Sequence, residues 1–210
     1  MISLQMKKDP KKLRVAGVIL AAGGSKRLGQ PKQGLSWHGG LFALQIALQG
    51  LAAGLDPLIC VIGAAQELIR DSVGNLPVKL IENPNWEKGQ STSMHVGLLS
   101  LPLDCDGVVF MLGDQPQVTA VLIRKLIEKR EQICAPIIAP RVGNRRGNPV
   151  LFGREAFEAL NAVKGDKAGR EIFDQFDIAY VPWIDKRIFL DVDITKDIIR
   201  MNQMFGDVIE

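Results

Sequence analysis

A chain of 210 residues, 47% hydrophobic and 23% charged, has the balance of a soluble globular protein and enough length to bury a substantial core. A formal charge of +3 is too small to argue for the clustered basic footprint that nucleic acid needs, and no apolar run approaches the roughly 20 residues of a membrane-crossing helix. Three cysteines (Cys60, Cys105, Cys134) without C-x-x-C spacing, and only two histidines (His38, His95), argue against a disulfide framework or a zinc site and for a reducing, cytoplasmic setting.

The basic run Lys7, Lys8, Lys11, Lys12 and Arg14 has no long apolar stretch with a cleavage site behind it, which predicts a solvated tail over residues 1–13 rather than a secretory signal. Val15 to Leu20 is a short apolar run of the kind buried on both faces of a sheet, and it runs into a glycine-rich loop. Phe42 to Leu51 has helical spacing closed by Gly54, and Leu58 to Ile62 reads as a second strand. The pattern then predicts a helix over Ala64 to Val73, a strand over Val78 to Ile81, and a helix over Thr92 to Leu101 capped by Ser91 or Ser93. Gly107 to Leu112 is another buried strand, and Thr119 caps an amphipathic helix from Ala120 to Glu131. Beyond it come short strands at 137–139, 149–152, 179–182 and 188–190, with short helices from Arg154 to Asn161 and from Ala168 to Phe176. Strand, loop and helix in repeated succession predict one α/β domain over residues 14–210 with a mainly parallel sheet. Ligands of such sheets collect beyond the carboxyl ends of the strands, so the segments after Leu20, Ile81 and Leu112 are expected to converge.

After Leu20 the chain reads Ala21-Ala22-Gly23-Gly24-Ser25-Lys26-Arg27-Leu28-Gly29-Gln30-Pro31-Lys32. Glycines let a backbone approach a phosphate, and successive N–H groups form an anion-binding nest. Arg27 and Lys32 add charge suited to a triphosphate, with Arg able to bind two oxygens at once. Gln30 stands where a Walker loop needs Lys, and the adjacency of Gly23 and Gly24 does not fit a dinucleotide fingerprint. On glycine content alone, a plain strand-to-helix turn with solvated charges fits equally well.

Three more segments carry polar groups. Gly113-Asp114-Gln115-Pro116 puts a carboxylate at a strand end, where a cation bridging phosphates needs a hard oxygen ligand; taken alone it also reads as a β-turn. In Asp191-Val192-Asp193, alternation along an extended chain puts both carboxylates on one face, for a metal or simply as an acidic strand end. Gly89, followed by the hydroxyls up to Ser93, offers free N–H groups and an Oγ that can read the edge of a base. Trp86 reads there as a packing anchor, and His95 as a surface or packed helix residue. Arg145 and Arg146, between Gly143 and Gly147, suit an acceptor phosphate or a solvated turn.

The string from Leu20 to Lys32 resembles the L-A-A-G-x-S-x-R-x-G-x-P-K signature of the nucleotidyltransferase family that includes the molybdenum cofactor cytidylyltransferases. The resemblance implies a Rossmann-like three-layer sandwich of the nucleotidyltransferase (GT-A-like) type. It implies that Leu20, Ala21, Ala22, Gly23, Gly24 and Ser25 hold the nucleotide, while Arg27 and Lys32 contact its phosphates. Ala21-Ala22-Gly23 stands where the guanylyltransferase branch reads A-G-G, which leans the resemblance toward CTP; Gln33-Gly34 departs from the aliphatic pair expected after the Lys. Gly113-Asp114-Gln115-Pro116 is similar to the family's magnesium-binding segment, which gives Asp114 to metal and catalysis. The segment from Asp191 to Asp197 resembles D-x-D-T-P-E-D, implying a second metal aspartate: Asp193, with Asp191 as the alternative. Asn83 to Ser93 resembles N-P-x-W-x-x-G-x-x-x-S and implies base recognition by Gly89 and Ser93. Gly143 to Phe152 looks like G-x-x-G-x-P-V-L-F and directs Arg146 and Asn148 toward the acceptor. Gly165 to Arg170 resembles G-D-x-G-x-R with its second glycine one place late, so no role passes to Arg170.

The reaction implied is attack by the terminal phosphate of a molybdopterin-type cofactor on the α-phosphorus of CTP. Mg²⁺, or Mn²⁺ in its place, is the expected cofactor. Such chemistry asks the protein for positioning and charge neutralisation. CTP and the pterin are the expected partners, with a receiving molybdoenzyme or its insertion chaperone behind them, and with neither nucleic acid nor membrane. Other readings are GTP or another acceptor, a non-catalytic cofactor carrier, and an oxidoreductase descended from the fold.

Overall fold

Residues 12–165, 169–206, 208 and 209 are described by the computed structural model. The expected tail up to residue 11, residues 166–168 of the Gly165–Arg170 motif, and the Arg170 side chain lie outside the described residues. Strand β1 (Val15–Leu20) is buried at every position, as a strand covered on both faces must be. It pairs in parallel with β4 (Leu58–Ile62) on one side and with β6 (Gly107–Leu112) on the other, and β4 pairs in parallel with β5 (Val78–Glu82). The sheet continues from β6 through β9 (Val150–Gly153) and β7 (Ile137–Val142) to β10 (Ile178–Pro182), giving the order β5-β4-β1-β6-β9-β7-β10. A short strand β8 (Arg145–Arg146) folds back on β7. β9 runs antiparallel to both β6 and β7; the long strands are otherwise parallel.

Alternation along the strands sorts the core into two layers. Val15 and Ile19 face a cluster with α1 (Phe42–Ala52), α2 (Gln66–Val73) and α4 (Ala120–Ile133), through Ile46, Ile69 and Ile123. Val18 and Leu20 face the opposite cluster with α3 (Gln90–Leu99) and α5 (Phe157–Ala162), through Met94 and Leu160. These three layers make the mainly parallel α/β sandwich expected from the sequence. The close fit of α3 depends on Gly97, where a Cβ would stand 2.5 Å from Val18 Cγ1. A third, smaller cluster joins Trp37 and Phe42 to Leu190, Val192, Met201, Val208 and Ile209.

Several local expectations need correction. Ile188–Leu190 is not a strand: Lys186–Phe189 is a 3-10 turn, because Asp185 caps it by accepting from Arg187 N at 3.0 Å. The Gln117 amide then takes the Arg187 and Leu190 carbonyls at 3.1 and 2.7 Å, which leaves them no ladder to join. The helix expected over Ala168 to Phe176 is a 3-10 segment, Arg170–Gln175, with Ala168 outside the described residues, and the one from Arg154 begins as a 3-10 turn before α5. Helix α3 starts at Gln90 with Gly89, not a serine, as its N-cap; the backbone there (φ 113°, ψ 165°) is open to glycine alone. Two elements come as additions. A hairpin of β2 (Ser36–Trp37) and β3 (Gly40–Leu41) turns through His38 and Gly39, both at positive φ, as a two-residue turn of matching twist requires. A C-terminal helix, α6 (Thr195–Phe205), packs Met201 inward and has its first turn closed by Asp197, which accepts from Asp193 N and Ile194 N at 3.0 and 2.9 Å.

Candidate active site

Sheet order reverses at β1, whose successor β4 lies on one side and whose later neighbour β6 lies on the other. Such a switch point leaves a crevice beyond the carboxyl ends of the strands. Leu20 and Leu112 are paired at its floor. Gly113 N–H donates to the Leu20 carbonyl at 3.1 Å, and a side chain there would collide with that oxygen at 2.8 Å, so Gly113 brings the first loop against Asp114.

The cleft above this point has a volume of about 720 Å³ and is lined by all three segments expected to converge. From the first loop come Leu20, Ala22, Gly23, Gly24, Lys26, Arg27 and Lys32; from the segment after β5 come Trp86, Gly89 and Ser93; Asp114, Asp191 and Asp193 close the third side. Ser25 faces a neighbouring recess of about 220 Å³ shared with Lys26, Arg27 and Lys32. Ala21 is not in the lining: it is buried on the α1 side of the sheet, with its N–H bound to the Val61 carbonyl at 3.0 Å. Trp86 both packs and lines, its ring lying where a Cβ on Gly24 would approach to 2.8 Å.

The loop is held from within. Ser25 Oγ accepts from Lys32 N at 3.0 Å, and the buried Gln33 donates its amide to the Ala21 and Gly23 carbonyls at 2.9 and 2.8 Å. Gln33, the residue that departs from the family pattern, is thus the clamp that sets the loop's path. A polar side chain in place of an aliphatic one was the sequence signal for it.

Charges of both signs meet at the strand ends. Lys32 Nζ donates to Asp114 Oδ2 at 2.7 Å and to Asp193 Oδ1 at 3.3 Å; the Lys32 and Asp114 side chains are only 16% and 18% exposed, and that of Asp193 is 49% exposed. Burial alone would lower the Lys32 pKa, but the Asp114 charge and hydrogen bond, with Asp193 behind them, hold it above the ordinary 10.5. Asp191 is exposed as a residue, yet protein crowds its carboxyl; this loss of water and the Asp114 charge raise it above the ordinary 3.8, against a hydrogen bond from Gln115. Gln115 Nε2 donates to Asp191 Oδ1 at 2.6 Å, and Val192 N–H donates to the Asp114 carbonyl at 3.2 Å, so the Asp191–Asp193 segment is tied to the end of β6. Gln115 is a second holding residue that the motif reading passed over.

Among the described residues no three His, Cys, Asp or Glu side chains are grouped to hold a metal by themselves. Two carboxylates are nonetheless what a Mg²⁺ site completed by phosphates and water uses. Asp114 Oδ1 supplies the test of fit: it is buried and has no hydrogen-bond partner among the described residues, so the site presents an unsatisfied hard oxygen. Arg146 and Asn148 lie outside the main cleft, in an adjoining pocket of about 70 Å³ that shares Leu20, Gln90 and Leu112 with it. Its other walls include Phe110, Phe152 and Phe173, with the Arg146 guanidinium 3.3 Å from the Phe173 ring centre. Arg145 turns to Phe189 instead, at 4.1 Å. His95 is not in the cleft lining.

Relatives of this chain match most of its length. It is 25% identical over 199 residues to nicotine blue oxidoreductase of Paenarthrobacter nicotinovorans, covering 91% of this chain and 95% of that protein. It is 23% identical over 194 residues to the molybdenum cofactor cytidylyltransferase of Escherichia coli K12, covering 91% and 97%. Among solved structures, Rv0371c of Mycobacterium tuberculosis H37Rv superposes with a TM-score of 0.82 at 28% identity over 92% of this chain and all of that one. The same protein in complex with manganese gives 0.77 at 26% identity, with 92% and 100% covered. No helix among the described residues is long and apolar enough to cross a membrane. The MobA-like NTP transferase domain matches residues 17–179, a stretch that takes in the first loop, Gly89, Ser93 and Asp114, and the chain belongs to that family.

Proposed function

We propose that the chain transfers a cytidylyl group from CTP to the terminal phosphate of a molybdopterin-type cofactor. An acceptor phosphate oxygen forms the new bond to the α-phosphorus as the bond to the β-phosphate breaks, and pyrophosphate leaves. The observation that carries the reading is the meeting of the glycine loop, its cations and the Asp114–Asp193 pair at one strand-order switch point. Gly23 and Gly24 give the phosphates room, Arg27 and Lys32 take their charge, and Gly89 with Ser93 face the base. Ala21 supports the loop from behind. Asp114 and Asp193 would hold Mg²⁺ or Mn²⁺, and the bound cation would supply charge neutralisation at the transferring phosphate. Asp193 is preferred over Asp191 because the latter already accepts from Gln115. Arg146 and Asn148, in the adjoining pocket, are placed for the acceptor. The manganese complex of Rv0371c and the cytidylyltransferase of E. coli support the metal and the nucleotide.

The test is an assay of the purified protein with molybdopterin cofactor, Mg²⁺ and each nucleoside triphosphate in turn, following pyrophosphate. Release with CTP, and only when the pterin is present, is expected; release with GTP alone would overturn the cytidine assignment. Asp114→Ala separates an enzyme from a carrier, since it should abolish turnover and leave pterin binding intact. The relative named as an oxidoreductase motivates a second reading. Consumption of a nicotinamide cofactor without pyrophosphate release would favour it.

A further inference from the structure

One ammonium group faces two demands in this cleft. Lys32 ends the loop that faces the phosphates, yet its Nζ is bound to Asp114 Oδ2 and Asp193 Oδ1 at 2.7 and 3.3 Å. A divalent cation on the same two carboxylates would bring its charge within about 4 Å of the ammonium, where repulsion between poorly solvated like charges is strong. Lys32 and the cation therefore compete for one oxygen pair. The lysine is also an incomplete occupant, because Asp114 Oδ1 stays buried without a partner among the described residues. A triphosphate offers the ammonium a more highly charged partner, and the four-carbon stem of lysine lets it turn toward one.

We infer that Lys32 is a displaceable counter-ion: it holds Asp114 and Asp193 in the nucleotide-free protein, keeps divalent cations off them, and leaves when a triphosphate arrives. Cation and nucleotide then bind as a coupled pair instead of cation first. This rests on reading the cleft as a nucleoside triphosphate site.

The experiment is a titration of the whole protein with Mn²⁺, reading free Mn²⁺ by its paramagnetic resonance, with and without the α,β-methylene analogue of CTP. Lys32→Met, with no nucleotide present, is expected to bind Mn²⁺ roughly tenfold tighter than the unaltered protein, the size of a typical coupling. The analogue should tighten Mn²⁺ binding to the unaltered protein and have a smaller effect on the variant. Adding Asp193→Asn to Lys32→Met should remove the gain and so locate it. Lys32→Gln provides the same comparison should the methionine variant fail to fold. Mn²⁺ affinity that is unchanged or weaker in the folded variant overturns the inference. Calorimetry of the analogue against the unaltered protein keeps the two readings apart. Absence of analogue binding sinks the nucleotide site itself, whereas binding without the Mn²⁺ gain sinks only the role given to Lys32.

Discussion

The Gln115 amide donates to Asp191 Oδ1 at 2.6 Å, so of two carboxylates two residues apart one is already engaged by a neutral donor. Asp193 is left to face Lys32 and Asp114. Asp193→Asn is therefore expected to weaken metal-dependent turnover by more than the roughly 10- to 100-fold that follows loss of a residue behind a metal ligand, and Asp191→Asn by much less. Metal titrations of kcat for the two variants check the order. Stability carries a separate signature. Because the folded-state pKa of Asp191 is raised, its charge opposes folding at neutral pH, and this penalty disappears as pH falls through the raised value. Asp191→Asn should match or exceed the unaltered protein in Tm at pH 7, and lose that advantage in acid.

Gln33 should reveal itself in KM. Gln33→Leu keeps the side chain's bulk but leaves the Ala21 and Gly23 carbonyls without their donor, and a buried unpaired polar group costs about 1–3 kcal/mol. With the loop loosened, the KM for the nucleotide is expected to rise more than kcat falls. Steady-state kinetics on the variant, beside its melting curve, would show a purely structural role if only Tm moved.

Gly97 is required by packing. Alanine usually favours a helix interior over glycine by about 1 kcal/mol, but a Cβ here meets the stiff, fully buried Val18 at 2.5 Å. Gly97→Val should destabilise by about 1–3 kcal/mol, the cost of overpacking, as read by denaturant unfolding.

A buried arginine sets a limit in acid. Arg130 is 7% exposed at its side chain and donates to both carboxylate oxygens of Glu155 at 2.8 and 2.9 Å. Burial would raise Glu155, but the Arg130 hydrogen bonds and charge outweigh it and hold the carboxyl below the ordinary 4.5. A depressed acid contributes stability that is present above its unfolded value and is lost as pH falls through the folded one. Glu155→Gln should cost about 1 kcal/mol at pH 7, discounted because Glu155 is half exposed, and should flatten the decline of stability below the ordinary 4.5. Urea unfolding at neutral and acid pH, compared between the two proteins, measures both effects.

Most of the parallel half of the sheet was legible because its strands are apolar runs closed by glycine, and a strand covered on both faces can be made of little else. The loop from Leu20 to Lys32 and Asp114 were legible for a related reason: polar groups directly after buried strands have only the crevice to occupy. Features made by long-range contacts were not. Nothing local marks β9 as antiparallel, since Val150 to Phe152 is as apolar as its parallel neighbours. Ile188 to Leu190 has the composition of a strand, and it is the Asp185 cap together with the distant Gln117 amide, which takes the Arg187 and Leu190 carbonyls, that makes it a turn. Gln33 showed only as a departure from the aliphatic pattern and Gln115 not at all, because glutamine has no characteristic spacing and their partners are main-chain oxygens and one aspartate brought close by the fold.

The small third cluster holds one half of the proposed metal pair in place. Lys32 and Asp193 are 161 positions apart, and Asp193 is fixed by Val192 packing beside Met201, Val208 and Ile209. His38 N–H donates to the Val208 carbonyl at 3.0 Å, and Asn202 pins Val208 and Ile209. Residues up to Pro182 supply every strand of the sheet among the described residues, whereas Asp191 and Asp193 follow them in the chain. On the proposed reading the Asp114–Asp193 pair closes only after the segment beyond Pro182 has packed, so a copy clipped ahead of Asp191 would lack half of its metal site.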